Sequence, residues 1–270
     1  MTTTRVALRV AMAALCITAI PSTAQAQAST VSAQTTPPVA KGTAWIDVNF
    51  LGLSPSQNAQ AYVWQEPLFQ ETLTLATAYP AMPTAIGAGV SGGYQFSSGV
   101  GFGVFWNRAR YEYTTGLFVE VPHPLRFNAY GSDTDVTAET QNRTDNAVDL
   151  SLTFSPRTPR AWQVRLFGGP TYFSVSQDMV SDIDGTQEFG VFTSMNIITI
   201  TTYDAETVTG SGWGYHVGGD VAYFFSRHVG FGGVVRFNGG SVTVREPLSE
   251  TSVKLKMGGP MFGAGVRFRF

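Results

Sequence analysis

The final segment of the chain, Met257 to Phe270, alternates strictly and ends on an aromatic ring. Phe262, Ala264, Val266, Phe268 and Phe270 fall on one face of an extended strand and Gly263, Gly265, Arg267 and Arg269 on the other, because successive side chains in a strand point to opposite faces. A soluble core strand has no reason to stop on an aromatic ring. A wall with lipid outside and polar groups inside, bordered by aromatic girdles, supplies one.

The other end of the chain predicts export. Arg5 and Arg9 precede an apolar run over residues 10–20, followed by Pro21 and the small-residue site Ala24, Gln25, Ala26. This is the layout of a secretory signal peptide over residues 1–26, and the apolar run is too short for a spanning helix. The residues before Cys16 are Ala13, Ala14 and Leu15, an order that does not match a lipid-attachment signal. Cys16 is the only cysteine, so the exported chain offers no thiol for a disulfide, metal or nucleophile. Loss of Arg5 and Arg9 leaves 15 basic residues against 19 acidic ones, a balance that argues against a nucleic-acid partner. Charged residues make up 13% of the chain, about half the usual share, and aromatics another 13%. After Ile20 no apolar stretch is long enough for a membrane helix. A closed barrel is the other way to cross a bilayer with every backbone group paired.

Residues 27–43 lack periodicity and are rich in Ser, Thr, Ala, Gln and Pro, the composition of a flexible lead-in. Strand candidates follow at 44–53, 84–96, 100–113, 145–155, 161–175, 212–225, 229–244 and 257–270. Short turns around Ser97–Gly99, Pro156–Arg160 and Ser226–His228 alternate with long connections at 54–83, 114–144, 176–211 and 245–256. The pattern predicts an all-β, antiparallel up-and-down transmembrane β-barrel of eight strands, with short periplasmic turns and long extracellular loops. Ala61–Gln65, Thr72–Tyr79, Phe189–Thr193 and Ile197–Tyr203 have strand-like composition inside the long connections. They either extend hairpins above the membrane or add a hairpin to the wall, which makes ten strands the alternative count.

The eight-strand plan, the signal peptide and the ending Val266, Arg267, Phe268, Arg269, Phe270 resemble the small outer-membrane β-barrel superfamily of Gram-negative bacteria, the OmpA/OmpX-like type. The resemblance covers roughly residues 45–270. It implies that Val266, Phe268 and Phe270 act as the signal read by the barrel-assembly machinery. It also implies an outer-membrane location with both termini periplasmic, and lipid with lipopolysaccharide as surroundings. The peptidoglycan-binding domain that some members carry after the barrel has no counterpart in this sequence.

Assigning the apolar parity to lipid makes Trp106, Trp162, Trp213, Tyr215, Tyr223 and Phe225 interfacial aromatics. The opposite parity sends Asp47, Asn49, Asp149, Gln163, Arg165, His216, Asp220, Arg236, Asn238, Arg267 and Arg269 inward. Enclosed charge is costly unless paired, so Asp47 with Arg267, Asp149 with Arg165, and Asp220 with Arg236 are the expected pairs. An eight-stranded barrel is filled by its own side chains, and inward Phe105, Phe167 and Phe224 narrow it further, although inward glycines restore some space. The expected interior is therefore a structural polar network, with a narrow porin-like channel for small solutes as the alternative.

Enzymatic chemistry has one candidate, His216, which shares a strand face with Asp220. Ser151 or Ser91 would have to reach it across the lumen to serve as nucleophile. The expectation is no enzyme and no cofactor. The segment from Ser176 to Ser211 is acidic, with Asp178, Asp182, Asp184, Glu188, Asp204 and Glu206 and no basic residue. Asp182-Ile183-Asp184-Gly185 falls short of a calcium loop, which needs six or more oxygens. The overall expectation is a monomeric outer-membrane barrel with a structural or surface-interaction role. A soluble periplasmic barrel that binds an apolar ligand is a further alternative.

Overall fold

The structure, a computed structural model, describes residues 42–96, 99–137, 139–158, 161–190 and 196–270. The expected signal peptide lies outside these residues, as do most of the lead-in, Ser97 and Ser98, Pro159 and Arg160, and the stretch 191–195. Twelve strands run through the described residues: β1 (Thr43–Leu53), β2 (Gln60–Leu68), β3 (Glu71–Tyr79), β4 (Ala85–Gln95), β5 (Val100–Tyr113), β6 (Gly116–Pro122), β7 (Tyr130–Thr137), β8 (Gln141–Phe154), β9 (Trp162–Phe189), β10 (Asn196–Phe224), β11 (Val229–Arg245) and β12 (Ser252–Arg269). Eight of them close an antiparallel barrel in the order β1-β12-β11-β10-β9-β8-β5-β4. The ring joins where β1 pairs with β12 on one side and β4 on the other, Trp45 facing Arg269 and Thr43 facing Gln95. The first and last strands thus share one rim with the short turns, the turn rim.

Period-two patterning builds the wall. Along β5, Val100, Phe102, Val104 and Trp106 are exposed while Phe105, Asn107 and Ala109 are buried. The same parity exposes Phe50, Ile86, Leu152, Val217, Phe231 and Phe262 on other strands, so the outside is a continuous apolar belt. Aromatic pairs mark its two edges. Trp162 meets Tyr223 edge-on at 5.2 Å near the turn rim, and Tyr172 meets Trp213 at 5.3 Å towards the other. Tyr223 and Trp213 are ten residues apart on one strand. At about 3.3 Å per residue and a tilt of about 40°, that separation spans roughly 25 Å, the height of a lipid-facing band.

The long connections are largely sheet. β2, β3, β6 and β7 form a second, four-stranded sheet in the order β2-β3-β6-β7, so the strand-like segments at Ala61–Gln65 and Thr72–Tyr79 stand outside the barrel and the wall has eight strands. β9 and β10 run 28 and 29 residues, far beyond the roughly 10 that a spanning strand needs, and continue as a hairpin past the loop rim. Most of the acidic 176–211 segment, read from sequence as a loop, is this paired extension. Asp182 to Gly185 are consequently extended strand rather than a cation-binding loop. A propensity reading stops at polar residues, and here a ladder partner carries them on.

Two apolar clusters follow from this layout. One runs from the lumen to its mouth, where Tyr79, Met82, Tyr113, Met179 and Leu255 close over the barrel. The other joins the outer sheet to the hairpin through Leu75, Leu117, Val119, Val121, Val180, Ile198 and Ile200. The sheet is also tied down by hydrogen bonds: Val180 N–H donates to Tyr79 Oη at 3.1 Å, and Ile200 N–H to Asp133 Oδ2 at 2.9 Å. The latter falls beside a register shift between Ile200 and Thr202, where a side-chain acceptor takes over from the ladder.

Candidate functional site

The titratable groups gather in the lumen in three levels. Nearest the turn rim, Asp47 on β1 accepts from Arg165 Nη1, which crosses the barrel from β9 to reach it at 2.8 Å. Arg165 lies over the Trp45 ring at 3.7 Å. Arg267 on β12 donates through Nε to Asp220 Oδ2 on β10 at 2.9 Å and approaches Asp47 Oδ1 at 3.8 Å. β11 stands between β10 and β12. Gly232 there leaves the gap, since a Cβ at that position would lie 3.0 Å from Arg267 Nε and 2.8 Å from the Val221 carbonyl. Ser91 donates weakly to Asp47 at 3.4 Å, and Asn49 is buried on the same strand.

At mid-height Arg236 on β11 is bonded to Asp149 on β8, and its guanidinium is sandwiched between the rings of Phe105 at 3.7 Å and Phe167 at 4.6 Å. Asp149 Oδ1 also accepts the hydroxyl of Thr171, its ladder partner on β9, at 2.6 Å. Because that hydroxyl proton goes to the carboxylate, Thr171 Oγ1 accepts from His216 Nδ1 at 3.0 Å. His216 is then the Nδ1–H tautomer, and Nε2 accepts the Ser151 hydroxyl at 2.8 Å. The result is a Ser-His-Thr-Asp chain, with His216 oriented as a base towards Ser151 and Asp149 behind it. Ser151 lies where the β8–β9 ladder passes from Asp149–Thr171 to Leu152–Gly168, opposite Gly169, while Pro170, which has no N–H to donate, falls opposite Leu150.

Such a chain can activate a serine, but reaction needs room for an acyl or phosphoryl substrate. The void beside Ser151 measures about 20 Å³ and is walled by Asp47, Asn49, Arg165, Phe167, Asp220 and Arg236. That is enough for about one water. A second void of about 30 Å³ lies higher, against Asn107, Tyr111 and Asn238. The third level is centred on Arg143, 1% exposed, which bonds Asp145 at 2.7 Å, Gln57 and the Met257 sulfur.

The register redraws two of the expected pairs. Asp149 pairs with Arg236 rather than Arg165, and Asp220 with Arg267 rather than Arg236. Phe154 faces Leu166 across β8–β9, which puts Arg165 near the turn rim and well away from Asp149. Asp47 and Arg267 are direct ladder partners, although the shorter bonds of Arg267 go to Asp220. Arg269 shares the inward parity but sits at the rim. Its Nε donates to the Arg227 carbonyl at 2.8 Å and its guanidinium covers Phe224 at 3.8 Å, so it ties β12 to the β10–β11 turn. Phe270 is exposed, its N–H bonded to the Ala44 carbonyl at 2.9 Å; Val266 is exposed and Phe268 half-buried. The expected interfacial residues Trp106, Trp162, Trp213, Tyr215, Tyr223 and Phe225 are all exposed on the outer wall. Arg143 and Thr171 were not singled out from sequence. Both continue the inward parity of Asp145, Asp149 and Arg165, but Arg143 lies ahead of the point where apolar alternation begins, in a stretch that the ladder with β9 makes part of β8. Inward glycines do not leave open space, because Trp45 fills the gap at Gly103, where a Cβ would lie 2.7 Å from its ring.

Among the described residues, no group of three or more His, Cys, Asp or Glu side chains can hold a metal ion. Beyond the loop rim lies a larger concavity of about 740 Å³, between the outer sheet and the β9–β10 hairpin.

No protein-family model and no curated protein matches the chain. Solved structures similar to it include Neisserial surface protein A (14% identity, 85% of this chain and 97% of that one, TM-score 0.40). Another is the attachment invasion locus protein Ail of Yersinia pestis in complex with the heparin analogue sucrose octasulfate (12%, 85% and 100%, TM-score 0.37). A third is the outer-membrane protein AlkL in lipid bilayers (12%, 90% and 96%, TM-score 0.37).

Proposed function

We propose that this chain is a monomeric outer-membrane β-barrel whose wall is an anchor and whose working surface is the sheet and hairpin beyond the loop rim, with a surface-interaction role. The observation that carries this reading is the filled lumen. Ion pairs neutralise each polar level, and an apolar layer of Tyr79, Met82, Tyr113, Met179 and Leu255 covers the mouth. Little space is left for solute passage or for a substrate at Ser151, while the long hairpin and second sheet project outside the band that lipid would cover.

On this reading the turn rim and both termini face the periplasm, and the apolar belt meets lipid and lipopolysaccharide acyl chains. The alternating face of β12 is what the barrel-assembly machinery would engage. The test combines three measurements on the expressed protein: detergent-dependent membrane fractionation with heat-modifiable gel mobility, protease nicking between β9 and β10 on intact cells, and conductance in planar bilayers. Membrane fractionation, external nicking and electrical silence are expected. Recovery in the soluble fraction would end the membrane reading, and stable single-channel openings would replace the closed lumen with a pore.

A further inference from the structure

On one side of the barrel the outer wall changes character within a single pleat. Trp106, Val148 and Tyr172 are successive ladder partners on β5, β8 and β9 and form one cross-strand row at the loop-rim edge of the apolar belt. One pleat further from the turn rim the same face carries Arg108, Asn146 and Ser174, and the next pleat carries Arg110, Thr144 and Ser176. Cross-strand partners share a face of the sheet, so these side chains all point to the lipid side, as Trp106 does. Towards the turn rim that face stays apolar down to the partners Val100, Phe154 and Leu166.

Arg108 and Arg110 are exposed, and no ion pair among the described residues includes either of them. Glu112 follows on the same face and forms no ion pair with Arg110. A guanidinium directly beyond an aromatic edge stands at the level of lipid headgroups. Its planar fork takes phosphate through two parallel N–H bonds, which an ammonium group cannot do. The neighbouring Ser, Thr and Asn side chains both donate and accept, the chemistry that matches sugar hydroxyls. Strands lie about 4.8 Å apart, so from β5 to β9 the patch is roughly 10 Å wide, broad enough for a sugar headgroup and not only for one phosphate. Lys254 and Lys256 on β12 also point outward, but Lys256 lies two pleats past Pro260, the last apolar residue of its face. One pleat separates Arg108 from Trp106.

We propose that this patch binds the headgroup of one phosphorylated glycolipid of the outer leaflet, of the lipid A type that lipopolysaccharide carries. Its phosphate lies on Arg108 and Arg110, its sugar on the polar side chains of β8 and β9, and its acyl chains on the belt below Trp106 and Tyr172. The proposal rests on the reading of the wall as a membrane anchor with the loop rim outward, and adds a specific lipid site to it.

The test is native mass spectrometry of the full chain released from detergent micelles in EDTA, with bisphosphorylated lipid A, its dephosphorylated form and phosphatidylglycerol added at graded concentrations. One lipid A per barrel is expected, bound roughly tenfold or more tightly than the dephosphorylated form. Arg108→Gln with Arg110→Gln should remove that preference. Lys254→Gln with Lys256→Gln, an equal loss of charge on the outer wall, should keep it. Asn146→Ala with Ser174→Ala should weaken lipid A and leave phosphatidylglycerol unchanged. Heat-modifiable mobility of each variant checks that the barrel has formed. Equal affinity for the phosphorylated and dephosphorylated forms, phosphatidylglycerol bound as tightly as lipid A, equal losses in the Arg and Lys variants, or binding that appears only when calcium replaces EDTA overturns the proposal. A chain that fractionates with membranes and is nicked from outside, yet gives one of these results, keeps its anchor and loses this site. Recovery in the soluble fraction ends the membrane reading, and the lipid site with it.

Discussion

Arg267 stands directly opposite Asp47 in the β1–β12 ladder, yet its guanidinium reaches past β11 to donate to Asp220 at 2.9 Å and leaves Asp47 at 3.8 Å. Asp47 is served instead from across the lumen by Arg165 at 2.8 Å. Four charges from four strands, β1, β9, β10 and β12, are thus joined at one level, and the seam where the barrel closes is bound to its far wall.

Removing one partner from this set strands a buried charge. Arg267→Ala leaves Asp220 and Asp47 facing each other, and the expected loss is about 3–5 kcal/mol, read as a lower urea midpoint in equilibrium unfolding from lipid vesicles. The paired replacement Arg267→Met with Asp220→Leu removes both charges and fills similar volume, and it should recover most of that loss. A single variant as stable as the parent would show that the group is not the closure it resembles.

Gly232 is the position that lets Arg267 through. A Cβ there meets the Val221 carbonyl at 2.8 Å and Arg267 Nε at 3.0 Å, whereas at the neighbouring Gly233 the nearest atom is the Gly263 carbonyl at 3.6 Å. Gly232→Val should therefore lower the folded fraction on unheated gels, and Gly233→Ala should not. Equal tolerance at the two sites would contradict the close passage.

The wall was legible from period-two alternation because lipid on one side and a narrow lumen on the other enforce it at every residue, as Val100 to Ala109 show. Pairings inside the lumen were less so. Asp149 and Arg165 sit on consecutive strands, but their register places them at different heights, and Arg236 reaches Asp149 from β11 instead. Register and reach depend on turn geometry and shear, which alternation does not encode. The outer sheet is legible only in part: strand-like composition marks Ala61–Gln65 and Thr72–Tyr79, which fall in β2 and β3, but not β6 or β7. β2, β3, β6 and β7 are short, and their half-exposed faces become apolar only against the hairpin residues Val180, Ile198 and Ile200.

The Ser151-His216-Thr171-Asp149 chain has the bond directions of a hydrolase site but opens onto a void that admits about one water. A fluorophosphonate probe should leave the folded protein unlabelled over hours in detergent. His216→Ala should lower the unfolding midpoint, because it strands Ser151 and Thr171 in the interior. Labelling of native protein that Ser151→Ala abolishes would reverse this and make the lumen a reaction site.

The apolar layer over the mouth carries a pH signature. Tyr79 Oη accepts from Val180 N–H at 3.1 Å, and its ring meets Tyr62 at 5.6 Å and Tyr113 at 6.2 Å. Burial pushes the Tyr79 phenol up from 10.0 to about 12, with the Val180 bond opposing the shift in part, and burial also raises Tyr62 and Tyr113. The folded form therefore holds this proton more tightly than the unfolded chain. Its contribution is complete below pH 10.0 and is lost as pH rises towards about 12, where the phenolate forms in the folded state as well. Protease resistance of the outer sheet in vesicles should fall through that window, and Tyr79→Phe, which cannot ionise, should flatten the fall. Phenolate absorbance that completes its rise near pH 10.0 in the folded protein would show that Tyr79 is open to solvent and that the mouth is not sealed.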